Sequence, residues 1–308
     1  MKTTLDEMQA FIAVVDSGSI TAAATQLGLT TSATSRSLSR LEEKLRTTLM
    51  QRTTRRMELT EEGITYLAQA RAIVASVEAA EEMMSGRLSV PSGRLRVDAA
   101  SPFMLHVLVP LMPGYTARYP QVALELVSSE GFIDLLERRT DVAIRIGALK
   151  DSSLHASAVG TSRLRLLASP AYLERHGTPA TVAQLAQHSL LGFTEPVSLN
   201  EWPVREAGGA LLRIHPAIRA SSGETLRALA LQGAGIVCLS DFMTDADRRQ
   251  GSLVQVLEEA TVQVEQSINA VYYRHTAQSA RIDSFVRYLK AAVGERAFCD
   301  DPITLADS

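Results

Sequence analysis

One stretch of this 308-residue chain, residues 17–60, constrains the fold more than any other. Ser19 can cap a first helix, Gly28 provides a break, and Thr30 or Thr31 can cap a second helix. Two helices joined by a tight glycine turn at this spacing are typical of a DNA-binding helix-turn-helix. The sequence therefore predicts a small helical DNA-binding domain at the N-terminus.

The second helix, which we expect to continue to about Leu45, has two different faces. Leu38, Leu41 and Leu45 recur at helical spacing and are predicted to face the core, together with Leu27 and Leu29 beside the turn. The other face carries short hydroxyl side chains and one guanidinium, which can reach base edges and phosphates. We predict that the following residues of this face contact DNA: Thr31, Ser32, Ser35 and Arg36.

A basic segment, QRTTRRMELT, follows the second helix. Arginines interrupt a short strand-like pattern, which favours a wing that lays an arginine in a minor groove. We predict that Arg40, Arg52 and Arg55 contact the DNA backbone or minor groove. Residues 28–56 contain seven basic and two acidic residues, a local charge of +5, whereas the whole chain carries −3. Such concentrated positive charge is expected of a nucleic-acid reader. A helical domain with a merely solvated basic surface is the alternative.

A long helix is predicted from Glu61 to about Arg87, capped by Thr60. Apolar residues follow the steps of a two-stranded coiled coil along it: Ile64, Leu67, Ala70, Val74, Val77, Met84 and Leu88. We expect this stripe to pair with a second copy and form a homodimer. Packing back onto its own domain is the alternative. Glycine, proline and serine in residues 85–93 then predict a hinge.

The pattern changes after Gly93, where apolar strands alternate with helices. This alternation predicts a mostly parallel sheet with helices on both faces. Strands are expected at residues 95–99, 122–128, 142–146, 163–168, 190–194, 212–218, 236–239 and 267–273. Helices are expected from Ser101-Pro102 toward Tyr119 and at residues 132–138, 170–175, 223–232 and 280–293.

Several segments resemble the LysR-type transcriptional regulators. They are FIAVVDSGSITAAATQLGLTTSATSRSLSRLEEKL, MELTEEG, GRLRV, DVAIRIG, ASPAYLERHGTP and GETLRALALQGAGIVCL. The resemblance spans nearly the whole chain and implies an α plus α/β fold. This fold has a winged helix-turn-helix (1–60), a dimerising linker helix and hinge (61–90) and a two-lobed α/β regulatory domain similar to periplasmic solute-binding proteins (91–294). Lobe I would comprise about 91–161 and 267–294, lobe II about 162–266, and residues 295–308 would be a tail.

Ligands in such α/β lobes bind at the carboxyl ends of strands and at helix N-termini. Ser101 and Ser222 occupy matching positions, each after a strand and just before a helix, where a small carboxylate would fit. The resemblance implies a small-molecule effector in a cleft lined by Ser101, Ser128, Ser129, Arg145, Phe193 and Ser222. Both Ser101 and Ser222 are equally explained as helix caps. Arg145 can reach the cleft or form a salt bridge, and Phe193 and Trp202 can be packing residues.

Motifs and composition bear on the other function classes. Six histidines are scattered without metal-site spacing, and no nucleophile elbow or phosphate-binding loop occurs, so we expect no catalytic site, metal or cofactor. Cys238 and Cys299 suggest no disulfide, and Cys238 is expected in the core. The N-terminus lacks a signal-peptide pattern and no apolar run is long enough to span a bilayer, so we expect a cytoplasmic protein without membrane contact.

These features together predict a sequence-specific regulator that binds double-stranded promoter DNA and responds to a small-molecule effector. The family usually assembles as tetramers, but a dimer or a larger assembly stays open, as do activation, repression, the operator and the effector. The alternative is a small-molecule receptor or cryptic enzyme whose helical N-terminus is incidental.

Overall fold

A computed structural model describes residues 2–52, 57–84, 90–130, 140–147, 149, 154–273 and 279–294. The chain divides into two compact units, the N-terminal one formed mainly by residues 1–89 and the C-terminal one mainly by the chain from residue 90 onward. No helix within the described ranges combines the length and apolar character needed to cross a bilayer. The expected helix at 132–138, most of the hinge and the tail lie outside these ranges.

The N-terminal unit contains four helices and a small hairpin in its described part. In chain order they are α1 (Leu5–Ser17), α2 (Ile20–Leu27), α3 (Thr31–Leu45), β1 (Met50–Arg52), β2 (Met57–Leu59) and α4 (Glu61–Met84). Ser19 caps α2 and Thr30 caps α3, each accepting a backbone N–H three residues on. Gly28 ends α2 in the left-handed conformation. The predicted helix-turn-helix is confirmed.

The core of this unit is apolar and continuous across all four helices. It contains Phe11, Val14, Ala23, Leu38, Leu41, Leu49 and Leu67, with Leu27 and Leu45 packed against it. The prediction that Leu29 also faces the core is wrong, because its side chain is 47% exposed. The Leu29 N–H donates to the carbonyl of Ala24, which closes the turn that ends α2. This turn places the Leu29 side chain outside the core.

The long helix α4 only partly follows the predicted stripe. Thr60 caps it, since the Thr60 Oγ1 accepts the N–H of Gly63 at 2.9 Å. Ile64 is 52% exposed, whereas Leu67 belongs to the core of the N-terminal unit. The prediction that the whole stripe faces a second copy is therefore wrong for Leu67 and for the fully buried Ala70, because the first turns of α4 pack on α1, where the rings of Phe11 and Tyr66 meet. The side chain of Met84 and all of Leu88 lie outside the described part of the chain.

The C-terminal unit alternates strands and helices as predicted. Its first part contains β3 (Gly93–Ala99), α5 (Ser101–Phe103), a π-helix (Met104–Leu108), α6 (Val109–Arg118), β4 (Val122–Ser128), β5 (Val142–Ile146) and β6 (Leu154–Ala168). Next come α7 (Pro170–His176), a 3-10 helix (Val182–Gln187), β7 (Leu190–Phe193), a 3-10 helix (Val197–Asn200), β8 (Glu201–Arg205), β9 (Leu211–Arg213) and β10 (Ile218–Ala220). The last part contains α8 (Gly223–Leu231), β11 (Ile236–Ser240), α9 (Asp241–Gln250), β12 (Val254–Gln255), β13 (Glu265–Tyr273) and α10 (Ala280–Val293).

The main sheet runs in the order β10-β7-β11-β6-β13-β5-β3-β4, with β12 paired to β6. It is mixed rather than mostly parallel. β3 runs parallel to β4 and β5, and β7 runs parallel to β10 and β11, whereas β6 and β13 pair antiparallel with their neighbours. β6 pairs with β13 over Leu154–Arg163 and with β11 over Leu164–Leu167. The predicted lobe boundary near residue 161 falls inside this strand, so the division into lobes stays a prediction.

Several elements differ from the sequence-based prediction. β6 begins at Leu154 rather than at residue 163, and β8 and β12 were not predicted. The strand expected at 212–218 is split into β9 and β10, because Pro216 between them has no N–H to donate to a ladder. β9 instead pairs with β8 in a separate hairpin. The helix α9 was not predicted, because most of its residues are polar and give no clear apolar stripe.

Two residues of the C-terminal core behave as predicted. Trp202 is 1% exposed and packs in the core, which confirms its interpretation as a packing residue. Cys238 is buried in the same core, and burial raises the pKa of its thiol. A neutral buried thiol of this kind serves packing.

Candidate DNA interface and effector site

The second helix of the helix-turn-helix, α3, is the predicted recognition helix, and it presents a polar face to solvent. Thr31, Ser32, Arg36 and Arg40 are exposed and Ser35 is half-buried. The Arg40 Nε donates to the carbonyl of Arg36 at 3.3 Å, so these two residues lie on one side of the helix. The side chains of Arg36 and Arg40 are therefore available together on the exposed surface of this helix.

The opposite face of α3 is held by the core of the N-terminal unit. Leu38 and Leu41 are buried in it. Thr34 belongs to the hydroxyl-rich run of the helix but is fully buried, and its Oγ1 donates to the carbonyl of Thr30 at 3.2 Å. Thr34 is thus a packing residue of the turn rather than part of the exposed face.

A buried ion pair joins α3 to α1. The Lys44 Nζ lies 2.7 and 2.9 Å from the two carboxylate oxygens of Glu7, and the Thr4 N–H donates to the same carboxylate at 3.0 Å. Both charged side chains are mostly buried, 15% exposed for Lys44 and 6% for Glu7. Burial raises the pKa of the Glu7 carboxyl, but the hydrogen bonds from Lys44 and Thr4 outweigh it, so the pKa lies below its ordinary value.

Lys44→Met is expected to lower the stability of the N-terminal unit by roughly 3 kcal/mol at pH 7, because it leaves the Glu7 carboxylate buried without its cation. The folded-state pKa of Glu7 is depressed in the wild type. The stabilisation is therefore present above the unfolded pKa of about 4.3 and is lost as the pH falls through the folded value. The difference in unfolding free energy between wild type and variant should become smaller below about pH 4.3. Helical circular dichroism in denaturant, recorded at several pH values, measures this.

Arg40→Met is the matched control for that experiment, since it removes an exposed cation from the same helix. Surface charges away from ion pairs contribute little to stability, so this variant should unfold like the wild type at every pH. If the difference in unfolding free energy between Lys44→Met and wild type stays constant across the acidic range, the acid-sensitive stabilisation does not come from Glu7.

The predicted wing begins as a short antiparallel hairpin. Met50 pairs with Leu59, and Arg52 pairs with Met57 at the end of β1. The connection, which contains Arg55, and the side chain of Arg52 lie outside the described part of the chain. The DNA contacts of these two arginines therefore stay predictions.

Four candidate effector residues lie at the carboxyl ends of β3, β4 and β5. Ala99 is in register with Ser128, and the N–H of Ser129 donates to the carbonyl of Ala99 at 3.1 Å. Ser101 follows β3 closely. Its interpretation as a helix cap is wrong, because Ala100 precedes the helix without a side-chain cap and Ser101 is already its first residue. The Ser101 N–H instead donates to a carboxylate oxygen of Glu130 at 3.3 Å.

Arg145 follows the salt-bridge interpretation. Its Nη1 donates to the Oδ1 of Asp98 at 3.0 Å and to the carbonyl of Ile144 at 3.2 Å. Asp98 is fully buried and Arg145 is 11% exposed. The Nη2 of Arg145 and the Oδ2 of Asp98 are buried without a hydrogen-bond partner among the described residues. Asp98 was missed, although a lone carboxylate between Val97 and Ala99 in an apolar strand is a signal of such pairing.

Phe193 and Ser222 lie at the carboxyl ends of β7 and β10. Ser222 caps α8, since its Oγ accepts the N–H of Glu224 at 3.2 Å. Phe193 is half-buried. Its N–H donates to the Asn200 Oδ1 at 2.7 Å, and its carbonyl accepts a hydrogen bond from the Asn200 Nδ2 at 2.8 Å. This paired backbone holds the end of β7 in place. Phe193 therefore has a fixed position at the end of its strand.

The starts of α5 and α8 are in contact. A Cβ placed on Gly223 would lie 3.2 Å from the Cγ of Pro102, so these two residues touch. Ser101 and Ser222 adjoin this contact on either side. Within the C-terminal unit, the structure thus brings the two candidate effector groups to one place.

A chain of charged side chains also connects this region. The His106 Nε2 lies 2.7 Å from the Glu224 Oε2, and Arg227 donates to Glu224 at 2.7 Å and to both oxygens of Asp247 at 2.6 and 2.7 Å. Burial raises the pKa of the Glu224 carboxyl, but His106 and Arg227 outweigh it and leave that pKa below its ordinary value. No local pattern indicates the contact between His106 and Glu224, which are 118 positions apart, whereas Glu224 and Arg227 have the spacing of neighbours on one helix face. No group of three or more His, Cys, Asp or Glu within the described ranges could hold a metal ion.

A helix-turn-helix with an adjoining hairpin, followed by an α/β unit in which helix starts meet at strand ends, defines a ligand-responsive DNA-binding regulator. The chain belongs to the LysR-type transcriptional regulators. Residues 5–64 match the family described as bacterial regulatory helix-turn-helix protein, lysR family, and residues 89–294 match the LysR substrate binding domain. It is a sequence-specific DNA-binding regulator whose activity is modulated by a small-molecule effector.

Known transcriptional regulators are similar to this chain. The HTH-type transcriptional regulator CrgA of Neisseria meningitidis is 48% identical over 294 residues, which cover 96% of this chain and 98% of CrgA. The solved structure of CrgA has a TM-score of 0.66 to this chain and covers 96% of it and all of the CrgA chain. The full-length virulence activator AphB of Vibrio cholerae is 27% identical, has a TM-score of 0.59 and covers 94% of this chain and 99% of its own.

Proposed function

We propose that α3 enters the major groove of promoter DNA. Thr31, Ser32, Ser35 and Arg36 then contact bases or adjacent phosphates, and Arg40, Arg52 and Arg55 contact the backbone or a minor groove. The observation that carries this proposal is the polar outer face of α3, in which Arg36 is exposed while Leu38 and Leu41 fix the helix from behind. A helix held this way can present short side chains to base edges.

Arg36→Ala is expected to weaken binding to the specific operator by roughly 1–3 kcal/mol and to relax sequence preference, because a guanidinium can contact guanine with two hydrogen bonds. Fluorescence anisotropy with an operator fragment and with unrelated DNA, at several salt concentrations, measures both effects. Arg40→Ala serves as the comparison, since loss of a phosphate contact weakens all sequences alike and lowers the salt dependence. An equal loss on both DNAs in Arg36→Ala would reject its base-reading role.

For the assembly we propose a homodimer through α4, and a homotetramer of two such dimers. Ile64 supports the dimer, because this large apolar side chain of the predicted stripe is 52% exposed. A symmetric dimer reads two half-sites related by a two-fold axis. Sedimentation analysis of the full chain distinguishes dimer, tetramer and larger assemblies.

For the effector we propose a small carboxylate between lobe I (about 91–161 and 267–294) and lobe II (about 162–266). Ser101, Ser128, Ser129, Phe193 and Ser222 would line its site. The contact between the starts of α5 and α8 supports this place, because the N-terminal end of the α8 helix dipole favours an anion. Arg145 would act at its edge, since its charge is already paired with Asp98.

A nuclease footprint on the DNA upstream of the gene, with and without a pool of small carboxylates and aromatic acids, tests the proposal as a whole. Protection over several helical turns that changes with the pool supports a multimeric, effector-responsive regulator. Because such a protein works on the chromosome, its proposed location is the cytoplasm. No protection at moderate salt, with competitor DNA removing all binding, would instead favour a small-molecule receptor.

A further inference from the structure

The Glu42 carboxylate connects the recognition helix to the predicted wing. Its Oε1 accepts the N–H of Leu49 at 2.8 Å and the N–H of Met50 at 3.2 Å. Glu42 lies in the last turn of α3, and Met50 is the first residue of β1. A single oxygen thus bridges the helix that faces DNA and the strand that leads to the arginines.

The charge of this residue is unfavourable for a direct role in DNA binding. Residues 28–56 have a net charge of +5, and only Glu42 and Glu43 are acidic there. A carboxylate near a phosphate backbone is repelled by it. The benefit of Glu42 must therefore come from what it holds, and the two N–H groups that it binds belong to the start of the wing.

The hairpin itself constrains the angle of the wing only weakly. β1 and β2 form three residue pairs, and an isolated two-stranded hairpin is marginally stable. Leu49 and Met50 are buried, so the core fixes where the strand begins. The Leu49 carbonyl also accepts the N–H of Thr60 at 3.0 Å, and the two hydrogen bonds to the Glu42 carboxylate add a further restraint on the orientation of the strand.

From these contacts we infer that Glu42 is a positioning residue for DNA recognition, which sets the orientation of the wing relative to α3. The inference rests on the proposed placement of α3 and the wing on DNA. Glu42 itself does not contact DNA. It acts through the N–H groups of Leu49 and Met50 and thereby lets the wing arginines and the recognition helix bind the same DNA segment.

Two variants of the full-length protein separate hydrogen bonding from charge. Glu42→Gln keeps the length of the side chain and an acceptor oxygen but loses the charge. Glu42→Asp keeps the charge but withdraws the carboxylate by about one carbon–carbon bond, ~1.5 Å. We expect Glu42→Gln to retain most of the binding. Glu42→Asp should bind operator DNA about tenfold more weakly, and the slope of log affinity against log salt should fall by about one for each phosphate that the protein no longer binds.

Glu43→Gln is the matched control, because Glu43 is the exposed neighbour on the same helix turn and its substitution removes the same charge. It should bind at least as well as the wild type and keep its salt slope. All measurements are made at a temperature at which circular dichroism shows each variant to be fully folded. If Glu42→Asp is unfolded while Glu42→Gln still binds, the affinity and salt slope of Glu42→Ala decide in its place.

The opposite ranking would overturn the inference. If Glu42→Asp binds with wild-type affinity and salt slope, the carboxylate does not position the wing. If folded Glu42→Ala binds operator DNA with the same affinity and salt slope as Glu43→Gln, only the charge of Glu42 affects DNA binding. Failure of the proposed DNA-binding face would look different, because Arg36→Ala would then leave operator binding unchanged in the wild-type background.

Discussion

Arg145→Met is expected to destabilise the C-terminal unit by about 3–5 kcal/mol, because it leaves Asp98 charged and fully buried without its cation. Breaking a buried ion pair from one side exposes the remaining charge to the full penalty of desolvation. Trp202 is the single tryptophan of the chain and is buried in the C-terminal unit. Its fluorescence in a denaturant titration therefore reports this unit selectively.

The double variant Asp98→Asn with Arg145→Met is the control for that experiment. It removes both charges, and we expect it to recover most of the stability that Arg145→Met loses, since a neutral pair carries no unpaired buried ion. Wild-type stability of Arg145→Met would contradict the structural role. Arg145 would then be free for the effector, and a loss of effector-dependent change in the footprint would be its remaining signature.

Gly63→Ala is expected to lower the stability of the N-terminal unit by about 3 kcal/mol. A Cβ at this position would lie far inside van der Waals distance of the carbonyl oxygen of Leu49. That oxygen cannot move away freely, because it accepts the N–H of Thr60 at 3.0 Å. The variant must therefore separate the start of α4 from the start of the hairpin.

Circular dichroism at a helical wavelength follows the unfolding of Gly63→Ala, while Trp202 fluorescence follows the other unit. In Gly63→Ala we expect part of the helical signal to be lost at lower denaturant concentration than in the wild type, whereas the Trp202 fluorescence transition should not change. Gly208→Ala makes the same chemical change in open space without a positive φ, and it should be neutral. Equal stability of Gly63→Ala and wild type would show that α4 and the hairpin adjust their contact without cost.

The parts of the fold that were predicted correctly are those that depend on neighbouring residues. The caps Ser19 and Thr60 follow from a hydroxyl placed before a helical pattern, and the strand at 142–146 and the helix at 280–293 have the predicted bounds. Local periodicity and capping contain this information.

The parts that were missed depend on contacts between distant residues. Asp98 and Arg145 are 47 positions apart, and only the sheet register brings them together. Exposure of Leu29 depends on how the turn after Gly28 closes, which apolarity does not encode. For the candidate site, the outward face of α3 was predictable from helical spacing. The contact of Pro102 with Gly223 required the packing of α5 on α8.

The continuous strand β6 limits how this protein can be divided. Its first ten residues pair with β13, and its last residues pair with β11. The strands on both sides of β6 therefore depend on the same strand for their pairing. A gene fragment ending near residue 161 would encode a protein with an unpaired strand edge, which invites aggregation. We therefore expect insertions or segment exchanges to be tolerated in the peripheral loops of this sheet. A chain break inside β6 should instead disrupt the strand pairing on both of its sides.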